Sequence, residues 1–261
     1  MRVLHVIARL NVGGTARYIT QLAQELPKYG IETFIATGFV QGAEVEDESA
    51  QSIDLIRIKS LGRSISPIKD HLARKQLEKI IREVKPDIIH THTFKAGYVI
   101  RMKKQPVHVV HTFHGHVFHS YFHPLKTRIF LEIERRLGRV SDALIAISPE
   151  QKEELTATYR IAPEEKFRIV PLGLDLDRFQ FDRASKRNAF RSAYGLQEND
   201  IAVVITGRLV PIKNHSLFLQ ALSAARKKTG QRIVGFIVGD AEMRESIEQE
   251  SKELGFVFSG T

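Results

Sequence analysis

Histidine is the residue type that stands out. His90 and His92 end one short apolar run, and His108, His111, His114, His116, His119 and His123 crowd around the end of the next. An imidazole titrates near neutral pH, so one placed in a cleft can donate to a phosphate or a hydroxyl, or act as an acid or base. A metal site needs several neutral imidazoles, usually joined by a carboxylate or thiolate. This chain has no cysteine, no acid between Asp87 and Glu132, and no H-E-x-x-H, so no metal is assigned. His108, His119 and His123 read as ordinary solvated or core side chains.

Two further constellations can hold an anion. Asn11-Val12-Gly13-Gly14-Thr15 lies between the first apolar run and the first helical stretch. Glycines there let the backbone approach a ligand and aim helix N–H groups at it. The spacing is not G-x-G-x-x-G, so a dinucleotide fingerprint is absent. The second constellation is GRLVPIKNH (207–215), directly after another apolar run. Arg208 and Lys213 flank a turn that opens a helix, and two cations beside helix N–H groups suit a pyrophosphate. It is not a G-x-x-x-x-G-K-[ST] loop.

The elements that must position these residues follow from periodicity. Residues 3–8, 31–37, 54–58, 87–92, 107–112, 142–148 and 166–170 read as strands. Helical spacing covers 16–30 and 67–85, with further helices near 95–104, 124–139 and 149–159. Val- and Ile-rich runs without polar alternation are strands covered on both faces, and strands alternating with helices make a parallel sheet. The fold class is therefore α/β. Residues 1–172 read as one Rossmann-like doubly wound domain, and Pro171 and Gly173 mark its end. Residues 173–261 restart the pattern with strands at 201–207, 232–239 and 256–258 and helices over 214–228 and 241–254. Three strands and two helices would leave one sheet edge and one face bare, so this second domain is expected to be incomplete. In such sheets ligands sit at the carboxyl ends of the strands, where the histidines, the glycine turn and Arg208 all fall.

Composition bounds the rest. Of 261 residues, 43% are apolar and 26% charged, and no apolar run reaches a membrane span. The N-terminus reads as a first strand and not as a signal peptide. The absence of cysteine fits a reducing, cytoplasmic setting. The net charge of +9 is uneven: residues 1–170 hold 26 basic against 19 acidic residues. That excess suits an anionic partner. Aromatic and basic residues are not interleaved as in a nucleic-acid module, so nucleic acid is not expected as a partner.

Taken together, LNVGGTARYITQLAQEL, KPDIIHTHTFKAGYVIR, HTFHGHVF, DALIAIS, IVPLGLDLDRF, VITGRLVPIKN and FIVGD resemble the family 4 glycosyltransferases, in order and spacing, over nearly the whole chain. The resemblance implies a GT-B fold of two Rossmann-like domains. It also implies sugar transfer, with retention, from a nucleotide-sugar donor such as a UDP-sugar to a glycan or lipid-linked acceptor. Carried over residue by residue, it implies that Arg208 and Lys213 grip the donor diphosphate and support catalysis. Gly13 and Gly14 face the donor phosphates, His114 lies beside the transferred sugar, and Gly239 adjoins the nucleotide. No cofactor and no divalent metal are implied.

Three features depart from the family pattern. Leu172 and Leu174 replace linker residues, and Gly239-Asp240-Ala241 lacks a common second glycine. No glutamate-rich donor-binding segment follows Thr261; Glu245 and Glu253 have its spacing but not its context. The chain is therefore expected to lack part of its donor domain, and in this form to be poorly soluble and nearly inactive. Two rivals stand beside the transferase: a nucleotide-sugar 2-epimerase of the same fold, and an inactive form serving only as a binding module. Lys126, Arg128, Arg135, Arg136 and Arg139 lie amid apolar residues over 126–139. They suggest peripheral contact with an anionic membrane, against the alternative of a core-packed helix with a solvated basic face.

Overall fold

The structure, a computed structural model, describes residues 1–42, 44–62, 64–115 and 124–259, and not the side chains of residues 124–126, 178 and 259. The chain divides into two compact units, Met1–Leu174 and Asp175–Thr261.

The first unit is a sheet of seven parallel strands: β1 (Arg2–Ile7), β2 (Glu32–Thr37), β3 (Leu55–Arg57), β4 (Ile88–His92), β5 (His108–Phe113), β6 (Ala143–Ala146) and β7 (Phe167–Ile169). Their order is β3-β2-β1-β4-β5-β6-β7. The chain runs outward from β1 to β3, then crosses to β4 and runs outward the other way. The reversal point lies between β1 and β4, where an open α/β sheet forms its crevice. Helices α1 (Gly14–Glu25), α2 (Pro67–Val84), α3 (Thr93–Arg101), α4 (Pro124–Val140) and α5 (Pro149–Glu153) connect the strands. Alternation along β1 puts Leu4 and Val6 in a core with Ala73, Leu77, Ala96 and Val99 of α2 and α3. The other face puts Ile7 with Ala16 and Ile19 of α1.

Two local choices are explained by single residues. Pro27 ends α1, and Gly30 closes the following turn in the left-handed region at φ 73°. Lys85 caps α2 at φ 49°, one residue before Pro86. The helix expected over 149–159 is α only to Glu153 and finishes as a π turn, Glu154–Thr158.

The second unit holds β8 (Ile201–Thr206), β9 (Ile233–Val238) and β10 (Val257–Ser259), parallel in the order β10-β9-β8. Its helices are α6 (Asp177–Gln180), α7 (Arg183–Ala193), α8 (His215–Thr229) and α9 (Arg244–Glu253). The expectation of two helices is corrected by α7. None of its residues is buried, and its apolar residues Ala189, Phe190 and Ala193 gather near its C-terminal end. It nevertheless covers a sheet face, because the rings of Phe190 and of the following Tyr194 pack on buried Phe236 at 5.0 and 4.8 Å. β8 borders the sheet and leaves Ala202, Val204 and Thr206 exposed. Among the described residues, no helix is long and apolar enough to cross a membrane.

Candidate active site

In the first unit the glycine turn follows β1. Gly13 sits at φ 152° before the first residue of α1, a backbone state that side chains other than hydrogen rarely adopt. No side chain caps α1, and no acid occupies its first turn, so the N–H groups of that turn are left for a ligand. The loop is braced from one side. Val12 donates its N–H to Val45, Asp47 donates to Leu10, and Asn11 bridges Glu46. The cations around the turn are already engaged: Arg9 with Glu44, Arg17 with Asp47, and Arg57 with both carboxylate oxygens of Glu46. Burial alone would raise the pKa of Asp47. Hydrogen bonds from Ser49, the charge of Arg17 and the Gly13 N–H outweigh it and hold the carboxyl below its ordinary range. An anion at this end would meet helix N–H groups and, among the described residues named here, no free cation.

Next to the turn, at the reversal point, the structure assembles a chain of imidazoles. The parallel register pairs His5 with His90 and Ile7 with His92 across β1 and β4, and His92 with Thr112 across β4 and β5. His5 Nδ1 lies 3.0 Å from His92 Nε2, and His92 Nδ1 lies 2.9 Å from His114 Nε2. His90 Nε2 lies 2.7 Å from the Thr112 hydroxyl. Tyr18 of α1 sets the edge of its ring against His92 and His114, at centroid distances of 6.3 and 5.3 Å. Tyr18 thus ties the helix that begins at Gly14 to His114. Thr93 follows His92 with φ 67°, rare for a β-branched residue, and its buried hydroxyl has no partner among the described residues. Strain of that kind gathers at functional sites.

Burial sets the charge state. It pushes His5 and His114 down to about 4 and His90 and His92 well below the ordinary histidine value, with neighbouring imidazoles adding to the shift of the last two. The group is a set of neutral rings at pH 7. Ring nitrogens of His5, His90 and His92 come within 4.8 Å of one another, a spacing compatible with a metal ion. The sequence reading did not foresee this gathering. No carboxylate belongs to it, and the nitrogens that meet are occupied with one another.

The remaining histidines separate. His111 lies on the opposite face, bonded to the Thr91 hydroxyl at 2.8 Å and near Arg101, and burial lowers it strongly. His108 begins β5, at the far end from the site, exposed beside Asp142. His116, His119 and His123 lie outside the described residues. His5 escaped the sequence reading because it sits inside an apolar run. The available signal was its even spacing from Ile7 on the face that meets β4.

The second unit carries its own constellation at the carboxyl ends of β8 and β9. Gly207 at φ 154° ends β8 and donates its N–H to Val238. Buried Leu209 anchors the loop, donating to Asp240 and accepting from Met243. Asn214, in the left-handed region, caps α8 by accepting from Leu217. Arg208 and Lys213 stand exposed on either side of this turn. Among the described residues neither makes an ion pair or a side-chain hydrogen bond. Lys213 folds back, so that its Cε would lie 3.9 Å from a Cβ on Gly207. Gly239 packs against the Gly207 carbonyl so closely that no side chain fits. His215, buried at the start of α8, has no partner on either ring nitrogen among the described residues. The sequence reading passed over it.

The sequence profile described as Glycosyltransferase Family 4 matches residues 12–178, and that described as Glycosyl transferases group 1 matches residues 186–257. The chain belongs to glycosyltransferase family 4. Among curated relatives of this family 4 chain is the UDP-Gal:alpha-D-GlcNAc-diphosphoundecaprenol alpha-1,3-galactosyltransferase of Escherichia coli. It is 26% identical over 95% of this chain and 64% of its own length. The D-inositol 3-phosphate glycosyltransferase of Streptomyces scabiei is 27% identical over 90% of this chain and 56% of its own. The chain thus spans less than two thirds of these relatives. A crystal structure of a glycosyltransferase from Rickettsia africae aligns over the whole chain and 68% of its own, with TM-score 0.74 and 21% identity. That likeness establishes the GT-B fold expected for family 4.

Proposed function

We propose that this chain forms the donor-phosphate and sugar-proximal part of a retaining glycosyltransferase that uses a nucleotide sugar, most simply a UDP-sugar. The observation that carries the reading is the pair Arg208 and Lys213, two unengaged cations at the carboxyl end of β8 beside a glycine-lined turn. A departing nucleoside diphosphate gathers negative charge, and preorganised cations stabilise that charge. In this reading the N–H groups after Gly13 and Gly14 face the donor phosphates, His114 touches the transferred sugar, and Gly239 keeps a side chain out of the nucleotide's path. The acceptor is a glycan or a lipid-linked glycan, in keeping with the diphosphoundecaprenol named for the Escherichia coli relative.

The test is donor binding. UDP titrated into the chain and into Arg208→Ala should show a loss of one charge-assisted contact, about 1.5–3 kcal/mol, or roughly ten-fold or more in affinity. Equal affinity would return Arg208 to the solvated surface and end the reading. The epimerase alternative is not favoured, since both matching profiles describe glycosyltransferases.

A lipid-linked acceptor would bring the protein to a membrane face. Arg128, Ile129, Arg136, Arg139 and Val140 form an exposed strip on α4 that supports such contact, whereas Arg135 is occupied by the Tyr159 carbonyl and Glu132. Flotation with anionic vesicles tests it. Neutralising Arg136 and Arg139 should weaken binding by around 1 kcal/mol per charge, and absence of vesicle binding by the unmutated chain would remove this contact.

A further inference from the structure

The imidazole chain has a property that its members lack singly. His5 Nδ1 meets His92 Nε2, and His92 Nδ1 meets His114 Nε2. The two end nitrogens, His5 Nε2 and His114 Nδ1, are buried and have no partner among the described residues. A neutral imidazole carries one N–H, so the three rings share three protons. Each of the two contacts takes one. The third must sit on one end nitrogen or the other. Only two arrangements satisfy both contacts: every ring protonated at Nδ1, or every ring protonated at Nε2.

The two arrangements differ in what they leave unpaired. With all Nε2 protonated, a bare N–H is sealed at His5, which is 1% exposed on the face of β1 that α1 covers. With all Nδ1 protonated, His5 keeps only an unpaired lone pair, and the unpaired N–H moves to His114 Nδ1, itself buried but on a part-exposed residue at the carboxyl end of β5. Each arrangement buries one unpaired N–H, a costly orphan; His5 is sealed at 1% exposure, whereas part-exposed His114 lies at the strand end where a ligand oxygen would pair with it. Tyr18 packs edge-on against His92 and His114, the two rings of the second contact.

We propose that His92, backed by His5, is a positioning residue that holds His114 as its Nδ1–H tautomer, so that the free nitrogen of His114 donates a hydrogen bond to an oxygen of the donor sugar. The assignment of the sugar as recipient rests on the placement of His114 proposed above; the tautomer itself does not. Burial keeps the rings neutral, so the chain operates as a fixed donor and not as a charged acid. His90 stands outside the relay, bonded to Thr112.

The experiment is a long-range ¹H–¹⁵N correlation on the full chain labelled with ¹⁵N-histidine, at pH 7.5 and without ligand. His5, His92 and His114 should all show Nδ1–H, the minority form of free histidine. In His92→Phe, His114 should return to a population dominated by Nε2–H. A wild-type spectrum with His114 as Nε2–H would overturn the proposal without recourse to any variant. So would an unchanged Nδ1–H in folded His92→Phe. Loss of the His5 and His92 N–H signals together with a shift of the His90 ring nitrogens on adding stoichiometric Zn²⁺ would show His5, His90 and His92 acting as metal ligands, and would likewise overturn the relay. UDP-glucose is added in a separate arm and should shift the His114 Nδ1–H signal. Silence there would remove the sugar as recipient, while the ligand-free spectrum decides the tautomer, so the two failures are distinguishable.

Discussion

A side chain on Gly239 would place its first carbon 2.0 Å from the carbonyl oxygen of Gly207. The two glycines end neighbouring strands, β9 and β8, and both hold φ near 153°. Gly239→Ala therefore meets a backbone atom that cannot rotate away and a torsion that alanine resists. We expect destabilisation of the second unit by about 3 kcal/mol or more. Thermal unfolding would show it, and an unchanged midpoint would mean that the two loops are not packed this way.

Gly14 makes the opposite case. A Cβ there meets nothing within 4 Å, and its φ is not in the left-handed range. As the first residue of α1 it should accept alanine with a gain of up to about 1 kcal/mol. If the turn lies against the donor phosphates, the added methyl should weaken UDP binding while stability holds or rises. Calorimetry and melting measured on the same variant would separate the two roles. Unchanged affinity would remove Gly14 from the site.

The buried histidines make stability depend on pH. In the folded chain His5 and His114 take up protons only near 4, and His90, His92 and His111 are also shifted well down. The unfolded chain takes them up near ~6.5. Between those values the unfolded state binds more protons, so stability rises with pH. It should be full above about pH 6.5 and decline as pH falls towards 4, by up to ~1.4 kcal/mol per pH unit for each histidine. Urea midpoints measured from pH 7.5 to 4.5 would test this. His111→Leu should make the slope shallower by one histidine's share.

Arg101 on α3 and Glu134 on α4 form a pair with side chains 0% and 2% exposed, each carboxylate oxygen 3.1 Å from the guanidinium. Burial drives the two groups towards neutrality, lowering Arg101 and raising Glu134, and their mutual attraction opposes it. Removing one partner leaves a lone charge in the core. Glu134→Ala should cost about 3–5 kcal/mol, and the double change of both residues to leucine considerably less. Denaturant midpoints that ranked the two variants the other way would refute the account.

Along β8, Val204 is 48% exposed on an edge strand. Apolar edges of this kind pair with other chains. Val204→Lys should lower self-association, read by light scattering against concentration, with little effect on thermal stability. Equal scattering by both proteins would show that association, if any, arises elsewhere.

Local pattern was enough for much of this molecule. The run-and-helix alternation specified a parallel α/β sheet, and Pro27, Gly30 and Pro86 marked helix ends, because these signals act over a few residues. The positions of Gly13, Gly14, Arg208 and Lys213 were legible for the same reason: each lies in the loop after the first strand of its own unit, at the carboxyl end of that unit's parallel sheet. His5, however, reaches His92 over 87 residues through strand register. Register also sent His111 to the opposite face and left His108 at the far end of β5, although in sequence they crowd with His114. The face covered by α7 was decided by the rings of Phe190 and Tyr194 meeting Phe236, and the Arg101–Glu134 pair was decided by how α3 and α4 cross. These are distances between segments, fixed by packing and strand pairing. A linear pattern shows which faces are apolar, but only the assembled sheet determines which polar side chains those faces enclose together.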